Sequence, residues 1–413
     1  MRRVTSALVL VLALAMPMAS APAQTDRVPQ IEEVPGPIVQ LLEDYGRSFV
    51  DHDVGLLTQT VSSERRETEA KALQNASDVD FERFTVRATT QYSGNLASKR
   101  VQNLYPDMEV ATYHVILEST IGPESGVFEE DGIFTFTKDP ERGGGYDGWR
   151  LASDSDLEPL GFFSPVHLWD GGPMSVLTSE HFILLTHPGT ADEMRPVLEV
   201  AERAYAKVAE FWPRPIAGNF VIIAPSTSEE LGRILHETAG VSRFVAFVVG
   251  GANRERGWEP TDPRVFIHVD HLRNYGTDAQ VEILAHELIH AVTRPLSGPK
   301  IPNFVEEGLA NAGGGTGGRR MVTGGPAPDD FPTDEGFVTG PVGEIQGVYD
   351  RSQLAIQALI DSFGVEGVAR FYETLGKERV VAGTDEYHVR RTIEATTDWS
   401  YEEWLAAWRK RVG

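Results

Sequence analysis

Apolar positions along this chain follow two different periods, and their order divides it into two parts. An amphipathic helical pattern covers residues 38–50, and a second helix is expected over residues 53–76. Strand-like runs follow at 84–92, 108–119, 132–137 and 149–152, with Gly143-Gly144-Gly145 as a hairpin tip. A stretch rich in Gly, Pro and aromatic residues, 161–173, reads as a junction. Beyond it, strands at 181–185, 219–224 and 244–249 alternate with helices at 191–211 and 228–237. One more strand, 264–269, is followed only by helices. The pattern predicts an α+β protein of two domains, residues 35–160 and 179–413, joined through residues 161–178.

The chain begins with Met1-Arg2-Arg3 and an apolar run from Ala7 to Met16. Small residues at Ala19-Ser20-Ala21 and Ala21-Pro22-Ala23 then suit a signal peptidase. Residues 1–23 are therefore expected to be a cleaved signal peptide, residues 24–34 a linker, and the mature protein secreted or extracytoplasmic. An uncleaved leader acting as a membrane anchor is the alternative. The formal charge of −24 repels nucleic acid and anionic lipid, so neither is an expected partner, nor is stable membrane insertion after leader cleavage. There is no cysteine, which excludes disulfides, a thiol nucleophile and thiolate ligands. Any transition-metal site must use His and carboxylates.

Such a set is present. His286-Glu287-Leu288-Ile289-His290 is an H-E-x-x-H motif in a helical setting, with Thr277 and Gln280 as an expected capping box and Pro295 as the stop. Val281, Leu284, Leu288, Ala291 and Val292 share one side of that helix, and His286 and His290 project from roughly the other. One turn of separation lets two imidazoles meet one ion, while Glu287, turned by ~100°, can reach an attacking water without ligating. Glu307 stands seventeen positions beyond His290 and is the expected third ligand, with Glu306 as the alternative. Pro302 suits the first turn of its helix, Gly308 would let that helix press on the motif helix, and Asn311 could orient a ligand His. His268 and His271 are expected to be ordinary strand-end residues.

His286-Glu287-Leu288-Ile289-His290 followed by Pro302-Asn303-Phe304-Val305-Glu306-Glu307-Gly308-Leu309-Ala310 resembles the gluzincin zinc metallopeptidases, in which the Glu of an E-G-x-A segment completes the zinc site. The likeness is greatest to the bacterial peptidase MA-like group, and more distant to the leukotriene hydrolase/alanyl aminopeptidase family. It covers residues 179–412 in layout and is specific over 281–312 and around Tyr349. Phe304 and Asn311 depart from the family's usual Trp and acidic residue, and no G-x-M-E-N motif is present. Val348-Tyr349-Asp350-Arg351-Ser352 resembles the aminopeptidases' Y-x-K-G block. That resemblance implies Tyr349 as an oxyanion donor at the start of a helix over 353–363, with Tyr387 and His388 in reserve. The resemblance implies a zincin-type domain, a zinc cofactor, a peptide or protein substrate, and Glu287 as general base. The amino-terminal half, ending in Trp149-Arg150-Leu151-Ala152-Ser153-Asp154, resembles the nuclear transport factor 2-like, or cone-like, domains. It shows no catalytic cluster and is expected to be dispensable for zinc binding.

Two further expectations concern the cleft. Strand 264–269 would be an exposed edge for an extended peptide. Residues 313–343, with Asp329, Asp330, Asp334 and Glu335, would form a mobile acidic border that favours basic peptides. Two rival functions stay open, a zinc hydrolase acting on a non-peptide bond and a secreted binding protein with a structural zinc site.

Overall fold

The computed structural model describes residues 33–89, 99–124, 126–138, 144–216, 218–236, 244–250, 252–253, 259–315, 328–339, 341–378 and 383–413. The leader, most of the linker, Gly143 and the centre of the 313–343 connection lie outside these residues. Helices α1 (Gly36–Val50), α2 (Val54–Thr60) and α3 (Arg66–Asn75) precede β1 (Phe81–Thr89). Helix α4 (Lys99–Leu104) leads into β2 (Glu109–Ile121), β3 (Phe128–Lys138) and β4 (Trp149–Ser153). These strands form an antiparallel sheet in the order β1-β2-β3-β4. Helix α1 buries Ile38, Leu41, Leu42, Tyr45 and Phe49 on it, with the Phe49 ring stacked 4.5 Å from that of Phe84.

The single helix expected over 53–76 is two helices. Asp53 caps α2 by accepting from the Leu56 amide, and the chain then turns extended at Val61. There the Ser62 amide donates to the Leu151 carbonyl of β4 at 2.9 Å. Val61-Ser62-Ser63 are weak helix formers, and a sheet edge offers their backbone a better partner. This half also holds a partly buried polar network that its sequence conceals. The Tyr45 hydroxyl donates to Glu69 at 3.1 Å, and Arg65 pairs with both Glu69 and Asp154. Burial and the Glu69 charge push the Tyr45 hydroxyl well above its ordinary range. Because its members pair with one another, the network ties α1, α3 and the end of β4 together.

Past α5 (Leu168–Gly171), the second sheet comprises β5 (Ser175–Thr178), β6 (Phe182–Thr186), β7 (Phe220–Ile223), β8 (Ala246–Val249) and β11 (Arg264–Ile267). Helix α6 (Ala191–Phe211) joins β6 to β7, α7 (Ser228–Ile234) follows β7, and a small pair, β9 (Ala252–Asn253) and β10 (Glu259–Pro260), precedes β11. The strand order is β5-β6-β7-β11-β8, with β6, β7 and β11 parallel and both outer strands antiparallel. The expected edge strand, 264–269, is therefore interior. All four residues of β11 are buried, as flanking strands on both sides require. The edge beside it is β8. Strand β5 lies inside the stretch that the sequence marks as a junction.

Helices alone follow: α8 (Val269–Leu272), α9 (Thr277–Thr293), α10 (Asn303–Gly314), α11 (Glu335–Val338), α12 (Val342–Gly376), α13 (Asp385–Thr396) and α14 (Tyr401–Val412). The fold is thus α+β. One hydrophobic core runs from Ile38 to Val412 and crosses the junction, where the Phe81 and Trp169 rings meet edge-to-face at 5.3 Å. The Asn75 side chain donates to the Trp169 carbonyl at 2.8 Å, and the Met174 amide donates to the Asn75 carbonyl at 2.9 Å. Among the described residues no helix is long and apolar enough to cross a membrane.

Candidate metal centre

Helix α9 is buried along most of its length, with His286 and Glu287 fully covered and His290 nearly so. Its start does not use the expected capping box. Gly276 is the N-cap, and the Gln280 amide donates to the Leu272 and Tyr275 carbonyls at 3.0 and 3.1 Å, which fastens the α8–α9 turn. Pro302 caps α10, whose far end supplies the close approach to α9. A Cβ at Gly314 would stand 2.8 Å from the His286 Cα. Gly308 has a different role from the expected one. A Cβ there would collide with the Ser352 carbonyl of α12, so Gly308 seats the Glu307 helix against the Tyr349 helix.

These contacts gather three ligand atoms into a triangle. The Nε2 atoms of His286 and His290 lie 3.1 Å apart, and Oε2 of Glu307 lies 3.3 and 3.4 Å from them. Nitrogen and oxygen ligands bound at ~2.0–2.1 Å to one tetrahedral ion stand ~3.3–3.4 Å from each other, so the triangle has the size of one face of such a site. The group could hold a metal ion, and three protein ligands leave a fourth position open. Glu306, the alternative ligand, is turned away and accepts from Ser297 and Tyr372 at 3.3 Å each.

The charges in the group are strongly coupled. Burial opposes a charge on His290, but the Glu307 carboxylate outweighs it and lifts that imidazole to about 9. Burial likewise opposes the Glu307 charge, yet His290 and His286 bring it down to about 2. Burial dominates at His286, which is lowered, and at Glu287, whose carboxyl is raised to about 8. Neither Glu287 oxygen finds a hydrogen-bond partner among the described residues, although both are buried. Asn311 lies beside His286, where it favours the charged ring, and its amide donates to the Tyr349 carbonyl at 3.3 Å.

Tyr349 does not open a helix, because α12 already begins at Val342 and continues until Gly364, at φ 69°, breaks it. Its buried hydroxyl has no partner among the described residues. Burial, then the charges of Glu307 and Glu287, push it well above its ordinary range. Phe337 of α11, a residue no spacing in the sequence marks, holds the Tyr349 ring edge-on at 5.0 Å. The reserve residues lie elsewhere: Tyr387 is exposed and His388 pairs with Glu378 at 3.3 Å. His268 and His271 stack on each other 3.6 Å apart beyond β11, outside the triangle.

The described part of the expected mobile border is pinned. Phe331 stacks on Phe304 of α10 at 4.9 Å, Asp330 accepts from Tyr401 at 2.7 Å, and Asp334 accepts from the Asn303 amide at 3.0 Å. Two of its four carboxylates thus anchor helices, and residues 316–327 lie outside the described set. Compared with the models of known protein families and with curated proteins, the chain matches none.

Proposed function

We propose that the protein is an extracytoplasmic, zinc-dependent peptidase of the gluzincin type, with a zincin-like carboxy-terminal part and a cone-like amino-terminal part. The observation that carries this reading is the His286–His290–Glu307 triangle with the unpartnered, buried carboxyl of Glu287 next to it in sequence. Zinc held there would supply Lewis acidity, lowering the pKa of a water and polarising a carbonyl. Glu287, whose carboxyl a bound cation would hold in its ionised form, takes the proton of the attacking water and delivers it to the leaving amine. Tyr349, with a hydroxyl that stays protonated, donates to the oxygen on which negative charge develops. Purified protein should contain about one zinc per chain and cleave peptides from a denatured-protein digest. A chelator should abolish cleavage and added zinc restore it. Turnover of esters but not peptides, or zinc retained without turnover of either, would replace this reading with one of its rivals.

Metal uptake should also release protons. Below about pH 9 the metal-free His290 holds a proton that a ligand nitrogen must lose. Zinc affinity is therefore expected to rise with pH, by up to ~tenfold per unit between pH 7 and 9, and to weaken as pH falls. Calorimetric titrations at pH 7.5 in buffers of different ionisation enthalpy measure the release directly, and an uptake that is independent of buffer would contradict the coupling.

A further inference from the structure

We infer that His187 is a proton-operated clasp between the two halves of the protein, tight while its ring is doubly protonated and one hydrogen bond weaker when it is not. The inference does not depend on the peptidase reading, and no motif singles out this residue.

The peptide unit between Pro173 and Met174 is gripped from both halves. Its N–H, that of Met174, donates to the Asn75 carbonyl at the end of α3 at 2.9 Å. Its C=O, that of Pro173, lies 2.7 Å from Nδ1 of His187, the residue that follows β6. Nε2 of the same ring lies 2.7 Å from Oε1 of Glu230 on α7, whose Oε2 accepts from the Ser226 amide at 2.9 Å. Two glycines bring the junction backbone down onto this pair. A Cβ at Gly171 would stand 2.5 Å from Glu230 Oε1, and one at Gly172 would stand 3.4 Å from His187 Cε1.

A carbonyl and an ionised carboxylate only accept hydrogen bonds. Neutral imidazole carries one N–H and can satisfy one of them, whereas the imidazolium donates to both. Its charge also strengthens each bond, and a polarised Pro173 carbonyl strengthens the Met174 bond across the same peptide unit. The surrounding charges agree with a protonated ring. The hydrogen bond to Glu230 raises the His187 pKa, burial opposes the rise, the Pro173 carbonyl adds to it, and Arg233 on α7 works against it. Burial opposes the charge on Glu230, yet His187 and the Ser226 amide bring its carboxyl below the usual range. Asp170 of α5 is turned to the His167 amide, and Asp192 and Glu193 in the first turn of α6 pair with Arg195 and Arg273. The His187 side chain is 17 % exposed, so protons of the solvent reach it. A group whose folded pKa is raised gives its full stabilisation below its ordinary value of ~6.5 and loses it as pH climbs through the folded value. The grip on the junction is therefore firm in mildly acidic medium and slackens towards alkaline pH.

Nuclear magnetic resonance of the native protein with labelled histidine tests the clasp directly. Both ring nitrogens of His187 should be protonated at pH 6 and titrate with a midpoint above ~6.5, and the Met174 amide proton should shift with the same midpoint. In Glu230→Gln that midpoint should fall. The Tm of native protein should exceed that of His187→Gln by about 1–3 °C at pH 6, and the gap should close towards pH 9. His167, whose ring meets Glu130 at 3.1 Å, titrates in both proteins and cancels from the comparison. A neutral His187 ring at pH 6, a Met174 amide indifferent to the titration, or a Tm gap that is the same at both pH values overturns the inference. The ring and amide signals are read on native protein, so they decide the matter even where a variant fails to fold.

Discussion

Glu287→Gln is expected to leave a folded, zinc-loaded protein whose turnover of peptide is on the order of 10²–10⁴-fold below the native rate. The substitution keeps the shape of the side chain and touches no ligand, since the metal group consists of His286, His290 and Glu307. It removes only the ability to accept and pass on a proton. Stability should not suffer. The carboxyl is fully buried, its two oxygens have no hydrogen-bond partner among the described residues, and burial already drives it towards its neutral form. A neutral amide in that place costs no more to desolvate than the acid it replaces. Steady-state kinetics with zinc quantified on the same sample would decide the matter. Native kcat in Glu287→Gln would mean that the proton is handled elsewhere, with His290 or Tyr349 as the next groups to vary.

What the chain's pattern reveals about this site, and what it conceals, follows from the range of the forces involved. The spacing of His286 and His290 is a property of one helix, so the helical period alone brings their rings to one side. Glu307 belongs to a second helix, yet a connection of nine residues, 294–302, limits where it can arrive. The role of Gly308 is different in kind. A missing side chain marks a close approach without saying which element approaches, and the approaching element is α12, some forty residues on. The identity of the edge strand is hidden for a similar reason. Arg264–Ile267 and Ala246–Val249 are equally short and apolar, and only the pairing of β11 with both β7 and β8 makes one interior and the other an edge.

The amino-terminal half was expected to be dispensable, and the seam between the halves points to a large cost for removing it. Glu124→Ala is expected to destabilise the protein by about 3–5 kcal/mol, the usual result of leaving one partner of a buried ion pair behind. Glu124 lies at the β2–β3 turn, and its carboxylate takes two parallel bonds from Arg264 at 3.0 and 2.8 Å. Both side chains are nearly inaccessible, at 3 % for Arg264 and 2 % for Glu124. The Phe128 ring covers the guanidinium at 4.4 Å, and the Asp262 amide donates to the Val127 carbonyl at 3.0 Å, so no water can readily replace the lost carboxylate. Against a total stability of ~5–15 kcal/mol, such a loss is a large fraction. It should reach the cleft as well. Arg264 pairs in register with Val249 of β8, and the next carbonyl, Gly250, accepts from Arg294, one turn beyond His290. Urea unfolding of Glu124→Ala, Arg264→Met and the combined Glu124→Leu/Arg264→Met variant measures the pair. The double variant should be more stable than either single one, since it buries no lone charge. Losses that simply add would show that the pair does not hold the two halves together, and a chain begun at Gly171 could then be expected to keep its metal.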